Sequence, residues 1–253
     1  MRVAQTNLQL LTQLNKAGSS DDDIRMVGRA YNTAARAYAG KIRATGKPLI
    51  AHVVGTSSLL LHAGCSAETM AAALLHAPPG GGEYGLRRWK PIVAKSVGLD
   101  VADLVDAYCA LRWTFTNDQI EHLMAKLDRL TDAEREALKV RLANEIEDYM
   151  DDATAHYGLI DEPGLYKSAA FRRQYILDTA SNLAALATKL DVPFLADRIE
   201  DTRNSLSAEL VAPVWPRLNE NTVAMFSSGS YLQRIRDKGA IGTVQAIFKR
   251  IRR

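Results

Sequence analysis

The chain has 253 residues, 47% of them hydrophobic, 24% charged and 7% aromatic, a profile that supports one large globular domain, or a domain with an appendage, and excludes a disordered chain. The net charge of +3 is unevenly spread: from Gly229 onward seven cations stand against Asp237 alone, a net of +6 that leaves −3 for everything before it. Basicity therefore belongs to the tail and not to the fold, which argues against nucleic acid as a partner.

The first stretch, "MRVAQTNLQLLTQLNK", has Gln and Asn scattered through it and no apolar core, so it does not read as a signal peptide. No segment approaches the roughly 20 apolar residues that a membrane span needs. Cys65 and Cys109 lie far apart without ligand spacing and read as two buried, reduced thiols of a cytosolic protein.

Helical signals then follow one another along the chain. "DDDIRMVGRAYNTAARAYAGKIRA" places Ile24, Val27, Ala30, Tyr31, Ala34, Ala35 and Tyr38 at helical spacing behind three acids that suit a helix N-terminus. Ser66 caps "SAETMAAALLH", and Pro78 ends that helix at Ala77. The Pro-Pro-Gly-Gly-Gly run that follows reads as a loop, with no helix start after it. Thr116 with Gln119, and Thr131 with Glu134, have capping-box spacing. "EREALKVRLANEIEDYMDDATAHYG" reads as one long helix ending near Gly158. A further helical block runs through "LYKSAAFRRQYILDTASNLAALATKL", and Pro193 opens the last helix of that block. No strand alternation is visible, so the expected class is all-α.

Three segments, in order, resemble the HD superfamily of metal-dependent phosphohydrolases, and among them the hydrolase domain of Rel/SpoT-type enzymes that degrade guanosine tetraphosphate. "AARAYAGKIRATGKPLIAHVVGTSSLL" resembles that family's helix, basic loop and first metal-binding histidine, which falls on His52. "GCSAETMAAALLHAPPGGGE" resembles the helix that ends in the His-Asp doublet, with His76 on the histidine. "VRLANEIEDYM" resembles the helix carrying the last aspartate ligand, which falls on Asn144. "VADLVDAYCALRW" fits another of the family's helices, and the likeness spans Ile24 to Tyr157.

The resemblance implies an HD-type helical domain over 20–158, a C-terminal helical extension over 159–210, a linker over 211–230 and a basic amphipathic tail over 231–253. In the active family two histidines and two aspartates hold one divalent cation, usually manganese, which activates a water and polarises a phosphate. Here the doublet is His76-Ala77, the last ligand is the uncharged Asn144, and the family's Glu-Asp pair falls on Gly80 and Gly81, with Glu83 displaced from it. His52, His76 and Asn144 thus form a remnant pocket without the anionic oxygens that a hard divalent ion prefers.

No cofactor is expected on this reading, and the expected function is non-hydrolytic binding of a ligand or partner. The alternative is a phosphohydrolase acting on a nucleotide such as ppGpp, or another phosphoester, with Mn2+ held by His52, His76 and Asn144 and with Glu83, swinging in, as the candidate catalytic residue. Arg43 and Lys47 flank the loop where the family contacts guanine nucleotide, while the family's flanking His and Tyr are Tyr38 and Leu49 here. The run Glu145, Glu147, Asp148, Asp151, Asp152 reads as a solvated face, and Glu145 and Asp148 reverse the family's local charge. His62, His122 and His156 have no partner at ligand spacing and receive no role.

The tail carries its own signal. Val244, Ile247, Phe248 and Ile251 form an apolar stripe, with Lys249, Arg250, Arg252 and Arg253 around its end and Arg234, Arg236 and Lys238 before it. Such a helix can lie on an anionic membrane, each cation contributing about 1 kcal/mol, or dock on its own domain or on a partner subunit. The expected location is cytoplasmic, with peripheral association at the inner membrane face as the tail's reading.

Overall fold

The computed structural model describes residues 2–41, 47–79, 82–111, 116–150 and 169–207. Among them, α1 (Asn7–Lys16), α2 (Asp21–Tyr38), α3 (Leu49–His62), α4 (Ala67–Leu75), α5 (Gly82–Val97) and α6 (Leu99–Ala110) form the first part of the bundle. They are followed by α7 (Asn117–Met124), a short 3-10 turn at Leu127–Arg129, α8 (Asp132–Tyr149), α9 (Ala169–Lys189) and α10 (Pro193–Ser207). The described residues form no strand, and the all-α class read from the sequence is the class observed.

Several helix starts follow directly from side-chain chemistry. Thr6, Ser20 and Thr131 each close a capping box with Gln9, Asp23 and Glu134, and Ser66 accepts from the Thr69 amide. Thr116 does precede α7, but its side chain makes no capping bond, so the expected box with Gln119 does not form. The helix expected to run through "GKIRA" stops at Tyr38, where Ala39 leaves helical geometry at φ −50° and ψ 126°. The glycine run is not followed by an extended loop: α5 begins at Gly82 and carries Pro91 within it. Its sequence lacks a cap and contains a proline, the two signals that hide a helix start from pattern reading. Gly98, at φ +108°, supplies the left-handed residue that separates α5 from α6.

The centre of the bundle is α3, whose residues His52 to Leu60 are all buried. A helix buried on every side needs neighbours on every side, and α3 packs against α4 and α8, with α1 and α2 beside it. Leu59, Leu60, Leu74, Leu75, Leu138 and Leu142 are fully buried here, each contributing about 1.5–3 kcal/mol relative to exposure. The apolar cluster continues without a break to Tyr175, Leu183, Leu195 and Leu206, so α9 and α10 share one core with the earlier helices.

Two further bonds position the site. The Leu49 amide donates to the Lys41 carbonyl at 2.9 Å, tying the start of α3 back to the end of α2 and fixing Lys47 at the helix entrance. The Trp89 indole N–H donates to the Leu75 carbonyl at 2.7 Å, anchoring α5 to the end of α4. The cysteines are not two buried thiols: Cys65 is half-buried and Cys109 exposed. Desolvation and the nearby Glu136 carboxylate push the Cys65 thiol up to about 12. No helix of the described residues is long and apolar enough to cross a membrane.

Candidate functional site

The polar residues of the core meet where α3 crosses α8. On α8, Asn144, Glu147 and Asp148 stand at i, i+3 and i+4 and so share one face. On α3, His52 turns toward them, its backbone carbonyl accepting from the Thr56 hydroxyl at 2.9 Å. His52 Nε2 lies 3.1 Å from Asn144 Oδ1. Its other nitrogen, Nδ1, contacts Glu147 Oε2 and lies 3.5 Å from Asp148 Oδ1. The Asn144 amide nitrogen faces Asp148 Oδ2 at 3.5 Å. Lys47, from the entrance of α3, places its ammonium on Glu147 Oε1.

Both nitrogens of His52 therefore face acceptors, an arrangement that a doubly protonated ring satisfies with two N–H donors. Glu147 is in turn held on both oxygens, by the Lys47 ammonium on Oε1 and the His52 ring on Oε2. Lys47 and the His52 ring thus meet the carboxylates of Glu147 and Asp148 in one buried polar cluster. Charges this deep persist only when paired and hydrogen-bonded in this way.

His76 flanks the cluster. Its Nδ1–H donates to the Ala73 carbonyl at 2.7 Å, capping the end of α4, so the hydrogen sits on that nitrogen. The ring stands edge-on to His52 at 5.5 Å between centroids and tilts against Tyr108 at 4.9 Å. Behind Tyr108, Arg141 donates to the phenol oxygen at 3.4 Å and pairs with Glu145 one turn further along α8. Burial alone would lower the Arg141 guanidinium, but the Glu145 carboxylate and Tyr108 outweigh it and hold the group above its ordinary value. Tyr38 lies in the core against Trp89, and desolvation raises its phenol far above the ordinary range despite the opposing Ala77 backbone.

At Glu145 and Glu147 the carboxylate run is not a solvated face, while Asp151 and Asp152 lie outside the described residues. Glu145 and Glu147 keep 4% and 1% of their surface, and both are built into the polar core. The solvated reading fails because α8 is wrapped on several sides, by α3, α4, α6 and α10. A helix in that position turns charged residues inward wherever a buried partner awaits them. Glu147 is the residue that sequence reasoning missed, and Lys47, read as part of a nucleotide-facing loop, is turned inward onto it.

Residues 30–114 match the family described as HD domain. That match supports placing this part of the chain in the HD-domain superfamily and takes in His52, His76 and Ala77, while Asn144 lies beyond it. No curated protein matches the chain.

The structure brings together His52, His76 and Asn144, the three positions at which the sequence resemblance set metal ligands. Ala77 offers no ligand atom there, and Asn144 Oδ1 is engaged by His52. These three side chains carry no negative charge among them and do not fit a tight divalent metal site. A different grouping of His52, Glu147 and Asp148 has one ligand atom from each within 4.8 Å of the others. Arg43, Gly80, Gly81 and the tail residues Arg234, Arg236, Lys238, Phe248, Lys249, Arg250, Arg252 and Arg253 lie outside the described residues. Glu83 belongs to α5, but its side chain is not among those described.

Proposed function

We propose that this chain is a degenerate HD-domain protein that does not hydrolyse phosphoesters and acts by binding a ligand or a protein partner. The observation that carries this reading is the closed polar cluster: Glu147 is taken by Lys47 and His52, and both nitrogens of His52 are engaged. An HD-type hydrolase needs an open metal coordination position and a carboxylate beside its second histidine. Here that neighbour is Ala77. The basic tail adds an expected association with an anionic membrane face from the cytoplasmic side.

The decisive experiment incubates the untagged protein and its His52→Ala variant with Mn2+ and a panel containing ppGpp, other nucleotides and simple phosphoesters. No turnover above the variant's background is expected. Turnover abolished by His52→Ala overturns the proposal. In a parallel arm, Ala77→Asp combined with Asn144→Asp should gain manganese binding that the natural protein lacks.

A second reading, a Mn2+-dependent phosphohydrolase, is favoured by one observation, the His52, Glu147 and Asp148 grouping. The Lys47 ammonium on Glu147 weighs against it, because a divalent ion would have to displace an existing cation from a buried carboxylate.

A further inference from the structure

We propose that Lys47 excludes divalent metal from this protein: its ammonium fills the cation position of a site made by His52 Nδ1, Glu147 and Asp148. The inference rests on the reading of the natural protein as metal-free and assigns to Lys47 the absence of metal at this second grouping, as the missing carboxylates at Ala77 and Asn144 account for it at the first.

The donor set is that of a borderline or hard divalent ion, one imidazole nitrogen and two carboxylates. Ligand atoms bound to such an ion at about 2.0–2.2 Å stand no more than about 4.4 Å apart. The three ligand atoms lie within 4.8 Å of one another, with His52 Nδ1 in contact with Glu147 Oε2 and 3.5 Å from Asp148 Oδ1, so small side-chain adjustments suffice to set them around one ion. Orientation is already provided, since His52 Nε2 lies on Asn144 Oδ1 at 3.1 Å. A bond from the far ring nitrogen to an acceptor is what fixes a metal-binding imidazole with its other nitrogen toward the ion. None of the HD family's aspartate positions contributes, so this is a different site from the remnant one, sharing only His52 with it.

Charge is what keeps the ion out. With Lys47 in place, a divalent ion bound through His52 Nδ1 leaves a neutral imidazole, so the ammonium, the two carboxylates and the ion sum to +1, an excess positive charge in a buried setting. Without the ammonium, a neutral imidazole and two carboxylates carry −2, which a divalent ion matches while releasing the His52 proton. The lysine is covalently part of the chain, so its effective concentration at Glu147 is high and free metal competes poorly.

The test uses Co2+ as the probe, read by its visible absorption and by metal-to-protein ratio after gel filtration, on the full chain. Lys47→Met keeps much of the side chain's length and removes the charge. Natural protein should retain no stoichiometric cobalt, whereas Lys47→Met should retain one ion per chain with at least a 100-fold gain in affinity. Lys47→Met combined with Glu147→Gln should lose it again, and Lys47→Arg should stay cobalt-free. A folded Lys47→Met protein without cobalt overturns the inference while leaving the metal-free reading intact. Stoichiometric cobalt on the natural protein that is lost in His52→Ala removes both. If Lys47→Met folds poorly without metal, cobalt in the refolding buffer should restore it, and a chain that stays unfolded with cobalt present also counts against the proposal.

Discussion

A Cβ built on Gly55 would stand 2.6 Å from Glu147 Oε1 and 2.8 Å from its Cγ. The side chain it would strike is pinned by Lys47 and His52, so it is not the loose end of a flexible group. Gly55→Ala must therefore shift Glu147 or push α3 away from α8, a form of overpacking that costs about 1–3 kcal/mol. That exceeds the gain of about 1 kcal/mol that alanine brings to a helix interior. Gly28, in α2, serves as the control, because a Cβ added there meets nothing within 4 Å among the described residues. Chemical denaturation should show Gly55→Ala less stable than the natural protein and Gly28→Ala more stable. A stabilised Gly55→Ala protein would mean that the close approach of Glu147 to α3 is not maintained in solution.

The same cluster predicts strong non-additivity. Glu147→Gln leaves the Lys47 ammonium and the His52 ring facing a neutral amide in a nearly water-free place. Breaking a buried pair from one side costs about 3–5 kcal/mol, mostly because a charge remains without its counter-charge. Lys47→Met leaves the Glu147 carboxylate with fewer donors and should also destabilise. The double substitution removes both charges and should be less damaging than the sum of the single ones, with a coupling of about 0.5–3 kcal/mol. Additive single effects in a double-mutant cycle would show that the two groups do not interact in solution.

These tests concern residues that sequence reading placed unevenly. The helical class, the caps at Ser66 and Thr131 and the start at Pro193 were legible because each rests on local chemistry that survives folding. The juxtaposition of His52 with Asn144 was legible only through resemblance, since 92 residues separate them and no local rule joins them. Glu147 escaped for a related reason. A run of acids on a helix looks the same in sequence whether solvent or a buried lysine faces it, and the partner here is 100 residues away. The signal that was available lay in Gly55, a glycine in the interior of α3, whose missing side chain makes room for that carboxylate. α5 escaped because it begins on glycine and contains Pro91, so propensity argued against a helix that packing on α6 and α2 enforces.

The tail yields a prediction that the core does not. Full-length protein should float with vesicles rich in anionic lipid, and a form ending at Ser228 should not. Because each cation near an anionic surface contributes about 1 kcal/mol and is screened within a Debye length, the flotation should weaken steeply as salt is raised. Equal flotation by the two forms would remove the membrane from the reading and leave a docked tail in its place.

His62, at the end of α3, gives the fold a defined pH response. Burial against Phe194, at 5.9 Å between ring centroids, holds its imidazole below the ordinary 6.5, with the Arg2 backbone partly opposing. Its Nε2 is buried without a hydrogen-bond partner among the described residues, so protonation there gains nothing to offset lost hydration. A depressed folded value means that the unfolded chain binds the proton more readily. The resulting stability is present above pH 6.5 and is lost as pH falls from there through the lower folded value. His62→Gln cannot titrate, so the difference in melting temperature between natural protein and variant should shrink in favour of the variant as pH drops across that window. Every other ionisable group is common to the two proteins and cancels from the difference. A difference that stays constant, or grows toward acid, would place the imidazole in contact with water or with a counter-charge and would contradict the packing of α3 against the start of α10.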